Sequence, residues 1–301
     1  MRMTDKSLDS GSPHAGSPNT GSPNTLRLAL WQCSPLPDSD RDDHAGVIAE
    51  NLDRLEHTMA DVAGRADLLI TPEMFLCGYN IGAAAARARA DEADGPIAAS
   101  VAQLCSRYGL AVLYGCAERV TDAHRLGAGV KEAVYNTIRL VDADGVTIAT
   151  HHKTHLFGDL DVAMVTAGTT RAPVIDFRSW RLGMLICYEV EFPEMVRDLA
   201  IRGADVVCVP TANMPEYDKV QQILLPARAL ENQVYLAYAN YVGSERELSF
   251  GGLSEMIGPG GTIDVSAGRD EQVILATADR DTLRWSRETW RYLADRRPEL
   301  Y

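Results

Sequence analysis

Cys187 stands where an apolar run, Leu182 to Ile186, meets a segment that reads as the start of a helix, with Pro193 suited by its fixed φ to a first helical position. The layout is strand, elbow, helix. A thiol at such a junction lies at the rim of a sheet, where an ammonium or a helix N-terminus would favour its thiolate. Glu73 has a comparable place, directly after Pro72 and the apolar run ending at Ile70. A carboxylate at a strand's end stands at the rim, where open α/β sheets bind ligands. Lys153 lies amid His151, His152 and His155 after a strand-and-turn segment. Beside a nucleophile its ammonium could steady an oxyanion, where one well-placed donor contributes roughly 3 to 4 kcal/mol. Singly, each has an ordinary reading: core thiol, solvated glutamate, surface lysine. Together they are a thiol, a carboxylate and an ammonium, a set suited to nucleophilic chemistry if the fold brings them to one rim.

Two other chemistries compete for these residues. The three histidines invite a metal reading, but their segment is short and lacks the carboxylate of the usual zincin pattern, so no metal is expected. A Cys-His hydrolase with His155 as base is the second rival. The remaining cysteines, at 33, 77, 105, 116 and 208, show no short paired spacing, so reduced thiols are expected, with Cys208 a core residue.

The elements that must position these groups alternate. Apolar runs at 26–33, 67–72, 111–116, 136–142, 181–187, 205–210 and 234–241 read as strands, and 42–64, 97–109, 193–203 and 219–233 as helices. Turn chemistry at Asp142 to Gly145 and Gly258 to Gly261 predicts hairpins, so parallel and antiparallel pairs should mix. An open sheet, a barrel and two face-to-face sheets all fit this α/β alternation. Residues 1–25 repeat Gly-Ser-Pro with almost nothing apolar, which reads as a disordered tail ahead of one globular unit, 26–301.

Composition excludes several functions. The net charge of −13 comes with no block of Lys or Arg, so nucleic acid is not an expected partner. No apolar run approaches the roughly 20 residues of a membrane span, and the N-terminus lacks the layout of a secretion signal; a cytoplasmic protein is expected.

The three chemical segments together resemble the nitrilase superfamily of carbon–nitrogen hydrolases. Pro72-Glu73 with Gly78-Tyr79 looks like its glutamate motif, Lys153 to Phe157 like its lysine motif, and Ile186 to Glu189 with Phe192-Pro193-Glu194 like its cysteine motif. Downstream, Arg228 to Asn232 with Asn240, and Phe250 to Ser254 followed by Pro259 to Gly261, resemble further signatures. The resemblance implies a four-layer α-β-β-α sandwich, a homodimer of two such subunits or a higher homo-oligomer, and no cofactor. It implies Glu73 as general base, Lys153 as oxyanion donor and Cys187 as nucleophile. Many relatives carry a second glutamate after the lysine motif; here Asp161 or Glu118 would share that work.

Relatives that prefer nitriles usually have Trp after the cysteine, whereas this chain has Tyr188. It looks closest to the branch that includes stereoselective amidases. The expected substrate is a small-molecule carboxamide, contacted by Tyr79, Tyr188, Glu191 and Asn213, with release of ammonia. Acidic Glu191 would favour an amide bearing a basic amine; charge pairing with a helix N-terminus is its ordinary reading. Alternatives are hydrolysis of an N-carbamoyl amine or amino acid, a nitrilase, or an inactive binding subunit, the last opposed by functional residues at all three positions. Loops 82–94 and 127–130 are expected to wall the pocket.

Overall fold

The first apolar run forms β1 (Thr25–Gln32), almost entirely buried as befits a strand covered on both faces. The computed structural model describes residues 24–122 and 131–300. After β1 come α1 (His44–Val62), β2 (Leu68–Ile70), α2 (Gly82–Arg89), α3 (Pro96–Tyr108), β3 (Ala111–Val120), β4 (Ala133–Val141), β5 (Thr147–His152) and α4 (Gly158–Met164). The second half runs β6 (Val174–Phe177), β7 (Trp180–Met184), α5 (Pro193–Ile201), β8 (Val206–Pro210), α6 (Leu225–Asn232), β9 (Tyr235–Ala239), β10 (Val242–Glu245), β11 (Leu248–Gly251), β12 (Glu255–Ile257), β13 (Ile263–Ser266), β14 (Gln272–Asp279) and α7 (Arg280–Thr289).

Two six-stranded sheets result, ordered β14-β1-β2-β3-β4-β5 and β13-β12-β9-β8-β7-β6. Each has a parallel centre, β1-β2-β3 in one and β7-β8-β9 in the other, with antiparallel flanks. The alternation of side chains along each strand assigns the layers. Leu28, Leu30, Leu68 and Ile70 face Leu182, Met184, Val206 and Cys208 in one core between the sheets. Ala29, Trp31, Leu69 and Val112, on the opposite face, pack under α1 and α3 through Leu55, Met59, Val101 and Leu104. Val207 and Val209 pack under α5 and α6 through Val196, Leu199 and Ala229. The order is α-β-β-α, a four-layer sandwich.

Local signals set the helix ends. Asp43 caps α1 by accepting the Gly46 N–H at 3.0 Å, and α3 starts at Pro96 and stops at Gly109 in the left-handed conformation, φ 59°. Both expected turns join hairpins, β4 to β5 and β12 to β13.

Several expected boundaries move. Strand 111–116 extends to Val120, because β4 pairs with it along its whole length, so Glu118 sits inside a strand rather than at its end. Strand 181–187 stops at Met184; Leu185 still donates its N–H to Cys208 O, but the chain then turns at Cys187. The loop expected at 82–94 contains the alanine-rich α2. Loop 127–130 and residues 1–23 of the tail lie outside the described residues, and Thr25 belongs to β1. Among the described residues no helix is long and apolar enough to cross a membrane.

Candidate active site

Three strand ends meet at one rim. β2 delivers Thr71, Pro72 and Glu73; β8 delivers Thr211; β7 delivers the Cys187 turn. Glu73 donates its backbone N–H to Thr211 O at 3.2 Å, which fastens the two sheets to each other at this point. Beneath Glu73, β3 passes so close that a Cβ on Gly115 would lie 2.3 Å from Met74 N, and only glycine permits that approach. On the other side Lys153 leaves β5, held by its N–H to Asn136 O at 2.9 Å and by the Gly168 N–H to its carbonyl at 2.7 Å.

Fully buried Lys153 Nζ lies 2.7 Å from Glu73 Oε1 and 2.6 Å from Asp161 Oδ2. Asn136 Nδ2 donates to the same Glu73 Oε1 at 2.6 Å. Both bonds fall on one oxygen, and Glu73 Oε2, equally buried, has no hydrogen-bond partner among the described residues. Phe157 N–H donates to Asp161 Oδ2 at 2.8 Å, fixing the second carboxylate.

Cys187 opens a single 3-10 turn, Cys187–Glu191, with φ +47°, a left-handed conformation that a side chain other than glycine rarely adopts. Such strain persists only where the surroundings enforce it. At 7% exposure the residue is buried. The Thr211 hydroxyl and Ala212 N–H reach the sulfur, and Glu73 and Lys153 are within electrostatic range of it.

Burial dominates the protonation of this cluster. It pushes Cys187 well above the usual thiol range, Glu73 adds to the rise, and Lys153, Thr211 and Ala212 oppose it. The sulfur therefore rests as a thiol. Burial also raises Glu73, with Asp161 adding and Lys153 and Asn136 opposing. For Lys153 burial works against the charge, but Glu73, Cys187 and Asp161 outweigh it, and the ammonium is retained far into alkaline pH.

Glu189 is the residue that sequence reasoning missed. Its buried carboxylate accepts from Ile186 N at 2.7 Å, Thr154 N at 2.8 Å and Thr154 Oγ1 at 2.6 Å, and lies 2.9 Å from His151 Nε2. One side chain thus ties the Cys187 turn to the Lys153 segment. Burial opposes its charge, but the bonds from His151 and Thr154 hold its pKa below the usual carboxylate range. An acid two residues after the cysteine was visible in the sequence; its partners 35 and 38 positions away were not.

The other expected residues divide. Tyr79 is fully buried with Lys153 Nζ 5.9 Å from its ring centre, and its hydroxyl interacts with Asp161. Tyr188 packs edge-on against Phe157 at 5.4 Å and Phe192 at 4.9 Å, part of an aromatic wall. Glu191 is half-buried within electrostatic range of Lys153 and Arg228. Asn213 instead commits its amide nitrogen to Gln221 Oε1 at 3.0 Å and Tyr217 O at 3.3 Å, bracing the segment before α6. Asp161, not Glu118, stands beside Lys153; Glu118 pairs with Arg139 at 3.1 Å and His152 at 3.2 Å. His155 rests on Phe192, ring centres 4.4 Å apart, with Nδ1 2.9 Å from Thr154 Oγ1, while the ammonium's neighbours are carboxylates. Among the described residues no group of three His, Cys, Asp or Glu is arranged to hold a metal ion.

The model of the carbon-nitrogen hydrolase family matches residues 27–288. A protein described as a hydrolase in the pqqF 5′ region, from Pseudomonas protegens, is 46% identical over 92% of this chain and 91% of its own length. An (R)-stereoselective amidase from a Pseudomonas species is 35% identical over 84% of this chain and 87% of its own. Among solved structures, a mutant of the amidase from Nesterenkonia sp. AN1 in complex with butyramide superimposes with TM-score 0.72 at 31% identity, covering 91% of this chain and 95% of that one. With its fold, its rim and its sequence in agreement, this chain belongs to the carbon–nitrogen hydrolase family of the nitrilase superfamily.

Proposed function

We propose that the chain is an amidase that hydrolyses a small carboxamide to a carboxylic acid and ammonia, with Cys187 as nucleophile, Glu73 as proton carrier and Lys153 as oxyanion donor. One observation carries the reading: Lys153 and Asn136 both bond Glu73 Oε1, and the other carboxylate oxygen is left free for a proton. Asp161 Oδ1 is unbonded as well, but of the two carboxylates on Lys153 it is Glu73 that acts on the Cys187 thiol. The raised thiol pKa means that the proton leaves Cys187 as the bond forms, and a carboxylate raised by burial is a suitable acceptor.

The steps balance. Glu73 takes the thiol proton while sulfur attacks the carbonyl carbon, and Lys153 with the Tyr188 N–H steadies the oxygen. Glu73 returns that proton to nitrogen, the C–N bond breaks, ammonia leaves and a thioester remains. Glu73 then takes a proton from water, the hydroxide adds to the thioester, and the thiol departs with the proton restored. Asp161 keeps Lys153 fixed and charged throughout. The (R)-stereoselective amidase among the relatives supports an amide as substrate, and the butyramide complex supports one of modest size. An N-carbamoyl substrate would give carbon dioxide besides ammonia.

The test is ammonia release from a panel of carboxamides, with the acyl-enzyme trapped and weighed. An adduct on Cys187 that is lost in Cys187→Ala is expected. Ammonia formation that persists in Cys187→Ala would sink the assignment.

A further inference from the structure

The charges around the candidate site do not balance. Lys153 is shared by two carboxylates, Glu73 and Asp161, so the buried centre already holds more acids than cations. Glu191, at the end of the Cys187 turn, adds a third. Its side chain lies within electrostatic range of Lys153 and of Tyr238. Tyr238 in turn accepts the Thr211 hydroxyl at 3.1 Å, the hydroxyl that also reaches the Cys187 sulfur.

Among the described residues, the other cation that acts on Glu191 is engaged elsewhere. Arg228 donates to the Glu191 backbone carbonyl at 2.8 Å and pairs with the Glu231 carboxylate at 3.2 Å. Those bonds fix where Glu191 stands without neutralising it at contact. The Glu191 carboxylate has no hydrogen-bonded or ion-paired partner among the described residues, and its oxygens are not buried, so the group is open to a ligand. Next to it in the chain, Phe192 packs with Tyr188, and Tyr188 with Phe157, at 4.9 and 5.4 Å. Aromatic faces beside an unpaired carboxylate are the two components of an ammonium site.

Resting on the amidase reading, we infer that Glu191 is a specificity-determining residue that receives a cationic group of the substrate. The preferred amide then carries a protonated amine a few bonds from its carbonyl, and an amide carrying a carboxylate is disfavoured. The ammonium supplies the charge that Lys153 and Arg228 leave uncompensated. Neutral amides lack that contact, and anionic ones meet three acids.

Three amides of nearly equal size isolate the effect: 3-aminopropanamide, butyramide and succinamate, which end in ammonium, methyl and carboxylate. For the full-length enzyme at neutral pH, kcat/KM is expected to fall in that order, with about tenfold or more between the first two. Glu191→Gln is expected to lower the 3-aminopropanamide to butyramide ratio about tenfold, and Glu191→Asp to retain part of the preference. If Glu191→Gln does not fold, the wild-type order decides: butyramide or succinamate equalling the amine overturns the inference. A ratio unchanged in a folded Glu191→Gln overturns it as well. Hydrolysis of butyramide with no preference for the amine overturns this inference alone; ammonia from none of the three overturns the amidase reading with it.

Discussion

Two buried acids flank the β4–β5 hairpin, and each has a basic neighbour, yet their environments drive them in opposite directions. Glu73 shares Lys153 with Asp161 and ends with a raised pKa. Glu118 has Arg139 and His152 to itself and ends with a lowered one, although burial pushes it upward too. Desolvation acts on both, so the cations and hydrogen bonds available to each carboxylate decide the sign. A carboxylate that must exchange protons needs a shared cation; one that must hold strands together needs a cation and hydrogen bonds of its own. Tyr135, stacked on His152 at 4.2 Å, seals the second cluster, whereas the first faces a thiol.

The comparison breaks first if the two acids prove interchangeable in catalysis. Glu73→Gln is expected to lower kcat by about a thousandfold, and Glu118→Gln by no more than a few-fold, in steady-state ammonia release. Equal losses would erase the distinction. The activity limb controlled by Glu73 should lie on the acid side, at a pH above the usual carboxylate range, because the raised group must be ionised to accept the thiol proton.

Stability should reverse the ranking. Removing one partner of a buried pair costs about 3 to 5 kcal/mol, so Glu118→Gln should shift denaturant unfolding strongly. Its folded pKa is depressed, which means that the stabilisation is present above the ordinary value of about 4.3 and is lost as pH falls through the folded value. The gap between wild type and Glu118→Gln is therefore expected to close in acid. A gap that widened there would contradict the ion-pair account.

Glu189 tests whether a structural acid can act on chemistry through another residue. Glu189→Gln keeps the shape but weakens the acceptor shared by Ile186, Thr154 and His151. We expect a kcat loss of about ten- to a hundredfold with KM nearly unchanged, and partial recovery in Glu189→Asp. An effect on KM alone would place its role in binding rather than in holding the Cys187 turn to Lys153.

Glu255 supplies the smallest effect and a third case, an acid buried in β12 with no cation acting on it among the described residues. Its Oε1 has no hydrogen-bond partner among the described residues, and burial raises its pKa to about 8. Because the folded value is raised, its stabilisation is complete below the ordinary value of about 4.3 and is lost as pH rises to about 8. Glu255→Gln should thus gain on wild type by about 1 kcal/mol or more at pH 8, with no gain at pH 4, in thermal unfolding.

The motif-bearing segments were legible because local chemistry marks them: Pro72 before Glu73, Pro193 after the cysteine turn, Gly109 ending α3. β6 and β10 to β13 were illegible, since alternation over three or four residues leaves no readable period, and β14, eight residues long with every second residue buried from Ile274 to Ala278, was missed although its period is there. α2 was read as loop because alanines carry little amphipathic signal. Asn213 looked available for substrate, and its commitment to Gln221 and Tyr217 depends on how the segment before α6 folds back.

By itself the sequence determined the alternating α/β elements and the residue types of a thiol, an acid and an ammonium at three element ends, because propensity and termination are properties of neighbouring residues. Only the tertiary structure decided that Asp161 rather than Glu118 shares Lys153, that Glu189 binds the two loops and that Glu191 is left unpaired. Those outcomes depend on which charges meet across roughly ten to eighty positions of chain once water is removed, and burial, not sequence spacing, sets the energy of such meetings.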